Sequence, residues 1–434
     1  MNRLIVLYVL VLSIPFGRLT AQLRISKVDT LWKIAINNNP NQKVYDLKRQ
    51  QLGFDFKTSQ GFYYPQANIG VNGQDNLILS VTPVPGALVG QAGKTVYLQF
   101  GKHYTYNTGL TLTKDLLDWQ SMLLSNIARE NIALNNAQQA SYTQTLKTQL
   151  GQYYYAVLVA KASQKIAEKD FNLSDSIYKV IKDKFDNGLT DAIALNQAAI
   201  NKSNVEQTIA QSKQFYNQAV ANIIILTGLP SKTNFEFENE AIENIALFEP
   251  NSIGEDKSLL PYKNTMTINN LQRKAQKALY LPKVSATGYL GYQQYQDNLQ
   301  VDFNKGSWSD YQYIGLGINW SLFTSFANSN KLKSLTVQQQ IASENYKAAK
   351  EQSNTNDILL LQNYNSYSTM AKSTKNSFDL YGKNVDLSLQ KYREGLISIE
   401  SYFKCYQDYL NAENAYLNNL SNLLTIKASI EARE

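Results

Sequence analysis

The sequence carries one structural plan twice, and this internal duplication restricts the folds that the chain can adopt. A proline, Pro65 in the first half and Pro282 in the second, precedes a stretch in which apolar and polar residues alternate. A second alternating stretch follows in each half, where Leu110 is matched by Leu316 at an offset of 206 residues. A period of two is typical of β-strands with two unlike faces. We therefore predict one β-hairpin in each half, at about residues 66–113 and 283–320.

Long helices are predicted beyond each hairpin. Residues 86–229 and 283–434 contain no proline, which favours long helices because proline lacks an amide hydrogen and clashes with the preceding helical turn. In the first stretch, the 4-3-4 spacing of a coiled-coil seam is followed by Leu146, Leu150, Tyr153 and Val157. A helix of ~68 residues would be about 100 Å long. Helices of this length are typical of proteins that span a space rather than enclose a pocket.

Each long helix is predicted to end in a polar turn with a single glycine. Gly188 and Gly395 are 207 residues apart, so the duplication keeps its register almost unchanged from the hairpins to these turns. Glycine is common just after a helix C-terminus because it adopts positive φ without steric cost. Thr190 and Ser398 are predicted to cap the helices that follow, because a side-chain oxygen there accepts a backbone amide hydrogen. The return helices are predicted at residues 190–227 and 398–430.

Together these elements predict a mainly α-helical fold with a small β part, built from long antiparallel coiled-coil rods and two β-hairpins per chain. The order in each repeat is helix, hairpin, long helix and return helix. We predict a signal peptide at residues 1–21, a first repeat at 22–230, a linker outside the rods at 231–262, and a second repeat at 263–434.

The N-terminal segment has the features of a secretory signal peptide. Arg3 supplies a positive charge, residues 4–16 form an apolar run, and Ala21 is a small residue at the expected cleavage point. The alternative of a membrane anchor is disfavoured because the run is shorter than the ~20 residues that a span requires. Cleavage would remove Arg3 and Arg18 and lower the formal net charge from +7 to +5. So mild an excess does not favour a nucleic-acid partner.

The scarcity of reactive side chains argues against a catalytic, cofactor or metal site. Cys405 is the single cysteine and His103 the single histidine, so neither an internal disulfide nor a pair of histidine ligands can form. Residues 90–95 resemble part of a phosphate-binding loop, but Leu88 occupies the position where that motif requires its first glycine. We therefore expect an exposed loop here, no cofactor or metal, and a protein that is not an enzyme.

The two hairpins supply too few strands to close a barrel within one chain, since membrane barrels of known structure begin at about eight strands. An open sheet edge in lipid leaves backbone groups unpaired, so hairpins that lie in a membrane must be pooled between chains. One alternative is a soluble sheet packed on the helices, as in a soluble periplasmic coiled-coil adaptor or structural spacer protein. The other is a simple porin, which would show many strands of ~10 residues and little helix.

The chain resembles the TolC-like outer-membrane efflux protein family over nearly all of the sequence after the signal peptide. The resemblance rests on the helix start at residues 30–40, the proline before each hairpin, the Gly-Leu turns at Gly188 and Gly395, and Leu-Thr-Gly-Leu-Pro at 226–230. It implies a homotrimer with a twelve-stranded barrel in the bacterial outer membrane and an α-helical tunnel in the periplasm. It also implies a passive exit duct for efflux or type I secretion. The partners would be a periplasmic adaptor (membrane fusion protein), an inner-membrane efflux pump or ABC transporter, and outer-membrane lipid.

The resemblance also assigns roles to residues of the two turns. The acidic ring by which well-known family members narrow the tunnel is not transferred, because its two positions are Ser401 and Lys404 here. Other acids near the turns are candidates for the aperture, with ordinary surface charge as the alternative: Asp191, Glu394 and Glu400. The resemblance implies that residues of the two turns dock the adaptor, and the alternative is that they only reverse the chain. These residues are Gly188, Leu189, Thr190, Gly395, Leu396, Ile397 and Ser398.

Overall fold

The computed structural model describes residues 23–238 and 253–433, which form helices joined by short turns together with a smaller set of strands. The predicted signal peptide at 1–21 lies outside the described residues, as do residues 239–252 of the predicted linker. The helices are α1 (Val28–Asn38), α2 (Pro40–Ser59), α3 (Trp119–Asp186), α4 (Ala192–Thr227), α5 (Leu260–Ala278), α6 (Ala327–Arg393) and α7 (Ile399–Glu431). The strands are β1 (Leu23–Ile25), β2 (Gln66–Asp75), β3 (Val81–Pro85), β4 (Thr95–Gln99), β5 (Tyr104–Leu117), β6 (Phe235–Phe237), β7 (Lys283–Gln296) and β8 (Ser309–Asn319).

The chain divides into two compact units, and each unit takes segments from both sequence repeats. We call them the helical unit and the sheet unit. The helical unit comprises Met1–Tyr45, Gln139–Ser258 and Glu351–Glu434, and the sheet unit comprises Asp46–Gln138 and Leu259–Lys350. The boundaries of the sequence repeats and of the compact units therefore differ.

The two long helices match the length that the proline-free stretches predict. α3 has 68 residues and α6 has 67. Asp118 immediately before α3 accepts a hydrogen bond from the amide of Ser121 at 2.9 Å, which satisfies one of the amide groups that a helix start leaves unpaired. Among the described residues, no helix combines the length and the apolar character that are needed to cross a membrane.

The core of the helical unit is formed where α3, α4 and α7 pack together with α1. Of the predicted seam residues, Leu146, Leu150 and Val157 are buried in this cluster, and Tyr153 is partly buried against it. Trp32 of α1 donates its indole hydrogen to the carbonyl of Lys147 at 2.9 Å, which attaches α1 to α3. Because burial of a large apolar side chain stabilises a fold by ~1.5–3 kcal/mol, this seam is a main source of the stability of the unit.

A second cluster of the helical unit lies nearer to the two turns and is rich in tyrosine. Ile177 and Ile181 of α3 are buried here together with Tyr402 and Tyr406 of α7. The rings of Tyr402 and Tyr406 are stacked with centroids 6.2 Å apart, and Tyr406 continues the stack to Tyr409 at 6.2 Å. Aromatic residues at helical spacing thus fill the interior along one face of α7.

The sheet unit contains a four-stranded antiparallel sheet in the order β2-β5-β7-β8. The two predicted hairpins pair with each other through β5 and β7, so that Ile69, Leu110 and Leu290 lie side by side in one row. Residues two apart along a strand point to the same side of a sheet, so the apolar residues at alternate positions of these strands join this row in one apolar face. Among the described residues, the outer strands β2 and β8 each pair on one side only.

Two segments contain more regular structure than the sequence predicts. The first hairpin loop holds a small hairpin of its own, in which β3 pairs with β4. The predicted linker at 231–262 contains β6, which pairs in parallel with β1, and the first residues of α5. The strands β1 and β6 have three residues each, which is too short for an alternation pattern to be recognised in the sequence.

Candidate functional site

The turn between α3 and α4 is a tight reversal built around Gly188. The amide of Gly188 donates to the carbonyl of Phe185 at 2.9 Å, and the amide of Leu189 donates to the carbonyl of Lys184 at 2.8 Å. This pair of hydrogen bonds is the Schellman arrangement, which satisfies carbonyl groups at a helix C-terminus. The backbone is thereby directed away from the axis of α3 before α4 begins.

The turn between α6 and α7 repeats this geometry. Gly395 donates to Tyr392 at 3.1 Å and Leu396 donates to Lys391 at 2.9 Å. The φ angles of Gly188 and Gly395 are 70° and 73°, a left-handed conformation that costs other residues ~1–2 kcal/mol. The sequence prediction that both glycines reverse the chain is confirmed by these angles.

The predicted cap at Thr190 is wrong, whereas the predicted cap at Ser398 is confirmed. Asp191 is the N-cap of α4, and its carboxylate accepts from the amide of Ala194 at 2.9 Å. Ser398 caps α7 and accepts from the amide of Ser401 at 3.3 Å. Both caps are the third residue after the glycine, so Thr190 stands one position too early for its oxygen to reach the free amides.

Three large apolar side chains at the turns are exposed to solvent. Leu189 is 74% exposed, Leu396 is 67% exposed, and Ile193 in the first turn of α4 is 76% exposed. The residue after the glycine of a Schellman turn usually packs on its own helix, so the exposure of both leucines is unusual. Ile397 differs from them, because it packs against the tyrosine-rich cluster.

Ile193 is the residue of this surface that the sequence analysis missed. A signal for it is present, since Ile193 and Ile200 are spaced by two helical turns and both are exposed, at 76% and 52%. The opposite face of α4 is the buried one, with Ala194 and Ala198 in the core. An apolar stripe opposite a buried stripe indicates a surface that contacts something other than its own core.

The two turns are held together by contacts between α3 and α6. The ammonium of Lys184 lies 4.2 Å from the ring centroid of Tyr392. The guanidinium of Arg393 donates to the hydroxyl of Ser176 at 3.3 Å. Cation–π contacts of this kind stabilise by ~0.5–1 kcal/mol at exposed sites, so the two turns form one supported surface.

Two of the three candidate aperture acids lie close to each other across the turns. A hydrogen bond from Ser398 lowers the pKa of Glu400 below its ordinary value, and the negative charge of Asp191 opposes that shift. Glu394 instead accepts a hydrogen bond from Gln390 on its own helix at 3.3 Å. Asp191 and Glu400 are therefore electrostatically coupled, and a role of these acids at an aperture stays a prediction.

The described ranges 23–238 and 253–433 hold no group of three or more His, Cys, Asp or Glu side chains arranged to bind a metal ion. Cys405 is a free, half-buried thiol beside Tyr402. His103 bonds the carbonyl of Asn76 in the sheet unit.

The comparisons with known proteins agree with this architecture. Residues 87–229 match the family model described as outer membrane efflux protein. This segment is an outer membrane efflux protein domain. It runs from the small hairpin β3–β4 through α3 and the turn at Gly188 to the end of α4. The TolC-like resemblance is thereby confirmed.

Solved structures of similar fold extend the likeness beyond this domain. The CmeC outer membrane channel of Campylobacter jejuni matches with a TM-score of 0.74 at 15% identity, over 94% of this chain and 85% of that chain. The outer membrane protein VceC of Vibrio cholerae matches with a TM-score of 0.72 at 15% identity, over 93% of both chains. The MtrE outer membrane channel of Neisseria gonorrhoeae, in its open state, matches with a TM-score of 0.73 at 15% identity, over 94% and 88%.

These structural matches are similarities of fold. They cover the outer membrane efflux protein domain and most of the rest of the chain. They confirm a mainly helical fold with a small β part that is shared with channel-tunnel proteins. The matched proteins CmeC and MtrE are described as channels.

Proposed function

We propose that this chain is a subunit of an outer-membrane channel-tunnel, a passive exit duct for efflux or type I secretion without catalytic activity of its own. The helical unit would lie in the periplasm, and an inner-membrane pump or ABC transporter would deliver cargo through a periplasmic adaptor. The proposal is supported by the outer membrane efflux protein domain at residues 87–229 and by the geometry of the sheet.

The sheet carries the proposal because it has an exposed apolar face and two edges that pair with no other strand of the described residues. Ile69 on β2 is 83% exposed, and Ile314 on β8 is 90% exposed. The edge strands β2 and β8 present backbone groups that would each cost several kcal/mol in lipid. Pairing of β2 with β8 of a neighbouring copy removes both edges, and three copies would close a twelve-stranded barrel around a pore.

A soluble periplasmic adaptor or spacer is the alternative function. It accounts less well for the sheet, because a soluble protein rarely leaves a contiguous apolar face and two flat edges uncovered. Ile69, Leu290 and Ile314 would then be a site of aggregation in water. In a membrane barrel the same side chains would contact the apolar lipid chains.

The exposed apolar residues of the two turns are proposed as the docking surface for the adaptor. Leu189, Leu396 and Ile193 supply apolar area, and Gly188 and Gly395 supply a backbone that no Cβ atom shields. The remaining members of the surface are Thr190, Ile397 and Ser398. The acids Asp191, Glu394 and Glu400 would contribute negative charge at the aperture and attract cations there.

The channel proposal is tested with the purified protein in a planar lipid bilayer. The protein should conduct ions, and light scattering in detergent should give three times the mass of one mature chain. Ile69→Asp on the apolar face should prevent insertion because a charge would enter lipid, whereas Asn68→Asp on the opposite face is its matched control. A folded, non-conducting monomer would refute the proposal.

A further inference from the structure

Two carboxyl groups face each other inside the helical unit, away from the turns. Asp170 on α3 is 3% exposed and Glu413 on α7 is 4% exposed, and each carboxyl group affects the pKa of the other. The hydroxyl of Tyr409 donates to Oδ1 of Asp170 at 2.8 Å. The channel function proposed above makes no use of these groups.

A hydrogen bond between two carboxyl groups requires a proton, because ionised carboxylates are acceptors only. Burial, and then the bond with Asp170, raises the pKa of Glu413 to about 9. Burial is also the main reason why the pKa of Asp170 is raised. Because like charges in one buried site cannot both ionise at low cost, burial favours a state in which the two groups share one proton.

Two cations on the neighbouring helices have acidic partners outside the pair. On α4, Lys202 pairs with Asp175 at 2.7 Å and also lies over the ring of Phe171. On α6, Lys375 pairs with Asp379 at 2.5 Å. The other titratable groups around the pair are Lys169 on α3, whose positive charge lowers the pKa of Asp170, Asp386 on α6, and Tyr402, Tyr406 and Tyr409 on α7.

The position of the pair connects it to the two turns. Asp170 stands 18 residues before Gly188, and Glu413 stands 18 residues after Gly395. At 1.5 Å per residue both carboxyl groups are about 27 Å from their turns along the helix axes. The pair therefore joins the helix that enters the first turn to the helix that leaves the second.

We propose that Asp170 and Glu413 form a proton-operated latch between α3 and α7, which is closed while the pair shares one proton and released when that proton is lost. Release leaves two negative charges in an apolar core and drives α7 away from α3. The latch does not depend on docking of an adaptor, so it can be tested separately from the proposed function.

The direction of the pH effect follows from the raised pKa. In the folded chain burial and the neighbouring Asp170 hold the pKa of Glu413 above its ordinary value of 4.5, near which it ionises in the unfolded chain. The folded state binds more protons between these two pKa values, so stability is greatest at the acidic end and declines as the pH rises.

The first experiment compares thermal unfolding of the full-length protein in detergent from pH 5 to pH 9.5, followed by circular dichroism. The amide of Glu413→Gln can still donate a hydrogen bond to Asp170 but cannot ionise. The Tm of this variant should therefore exceed that of the wild type by about 5 °C at high pH and match it at pH 5. Asp170→Asn should behave in the same way. Glu168→Gln, an exposed acid on the same helix, is the matched control and should follow the wild type.

The second experiment uses Cys405 on α7, the single cysteine of the chain, as a reporter of helix release. The ratio of thiol-labelling rates between wild type and Glu413→Gln should be near one at pH 6 and several-fold higher at pH 9. The thiolate fraction of Cys405 cancels in this ratio because both proteins carry the same residue. Identical Tm profiles would overturn the shared proton, and an unchanged labelling ratio would overturn the latch.

Discussion

Gly109 on β5 lies directly opposite Gly291 on β7, at the junction between the two hairpins of the chain. A Cβ atom on Gly291 would lie 2.4 Å from the carbonyl oxygen of Thr108, and one on Gly109 would lie 2.6 Å from the carbonyl oxygen of Leu290. The ring of Tyr289 covers the space that the two missing side chains leave. The two repeats can therefore pair closely only because both positions lack a side chain.

Gly291→Ala should disrupt the pairing of β5 with β7, because the new methyl group would clash with backbone atoms of β5 as well as with the hydroxyl of Tyr289, and the backbone atoms cannot move aside. We expect a loss of about 2 kcal/mol, measured as a lower Tm of the protein in detergent. Gly288→Ala on the same strand is the control, since a Cβ atom there meets nothing within 4 Å. Equal stability of the two variants would contradict this account of the junction.

Leu189→Asp combined with Leu396→Asp should block export, because a charge on each exposed turn removes the apolar surface proposed for the adaptor. Assembly and conductance of the purified channel should remain unchanged, since neither side chain is buried in the chain. Leu299→Asp, at an 80% exposed leucine outside the turns, is the matched control and should export normally. Export is measured as efflux from cells, and normal efflux by the double variant would refute docking at the turns.

Ile193→Asp should weaken export in the same assay. Its side chain is as exposed as that of Leu189 and lies in the first turn of the helix after Gly188. Ile225→Asp is the control, because this isoleucine is 70% exposed on the same helix but lies close to its C-terminal end. If both variants export equally well, the docking surface does not include α4.

Asp191→Ala should destabilise the start of α4 by about 1 kcal/mol, because the amide of Ala194 loses its acceptor. Thr190→Ala should change stability by a few tenths of that value, since Asp191 rather than Thr190 caps the helix. Hydrogen exchange of the amides in the first turn of α4 measures this difference. Faster exchange in the Thr190 variant than in the Asp191 variant would show that the cap is misassigned.

Asp256 should make the helical unit sensitive to acid. Although burial alone would raise the pKa of Asp256, hydrogen bonds from Ser353, Ser258 and Gln144 lower it to about 2. A lowered pKa gives stability that is present above the ordinary value of 3.8 and is lost as the pH falls toward 2.

Asp256→Asn should therefore reduce the free energy of unfolding at pH 7 by about 2 kcal/mol, with a smaller difference from the wild type near pH 2.5. Denaturant unfolding at both pH values measures the effect. Glu255→Gln is the control, because Glu255 directly precedes Asp256 and its side chain is exposed. A deficit of the Asp256 variant that is the same at both pH values would indicate lost packing instead of lost charge.

The sequence by itself determined the long helices, the four strands of the main sheet and the two turns of this protein. Period-two alternation marks the strands, the absence of proline marks α3 and α6, and Gly188 and Gly395 mark the turns. These are local properties, because the backbone conformation of a residue depends mainly on itself and its near neighbours. The sequence predicted the cap of α4 at Thr190, one residue before Asp191, and an error of one residue is usual for a helix boundary.

Only the tertiary structure decided which elements meet. Asp170 and Glu413 are 243 residues apart in the sequence, and each is one of many acids on a polar helix until α3 packs against α7. The contact of Gly109 with Gly291 likewise depends on the register between two hairpins that are far apart along the chain. Such contacts are set by the packing of all the helices and strands together, and no local pattern encodes that packing.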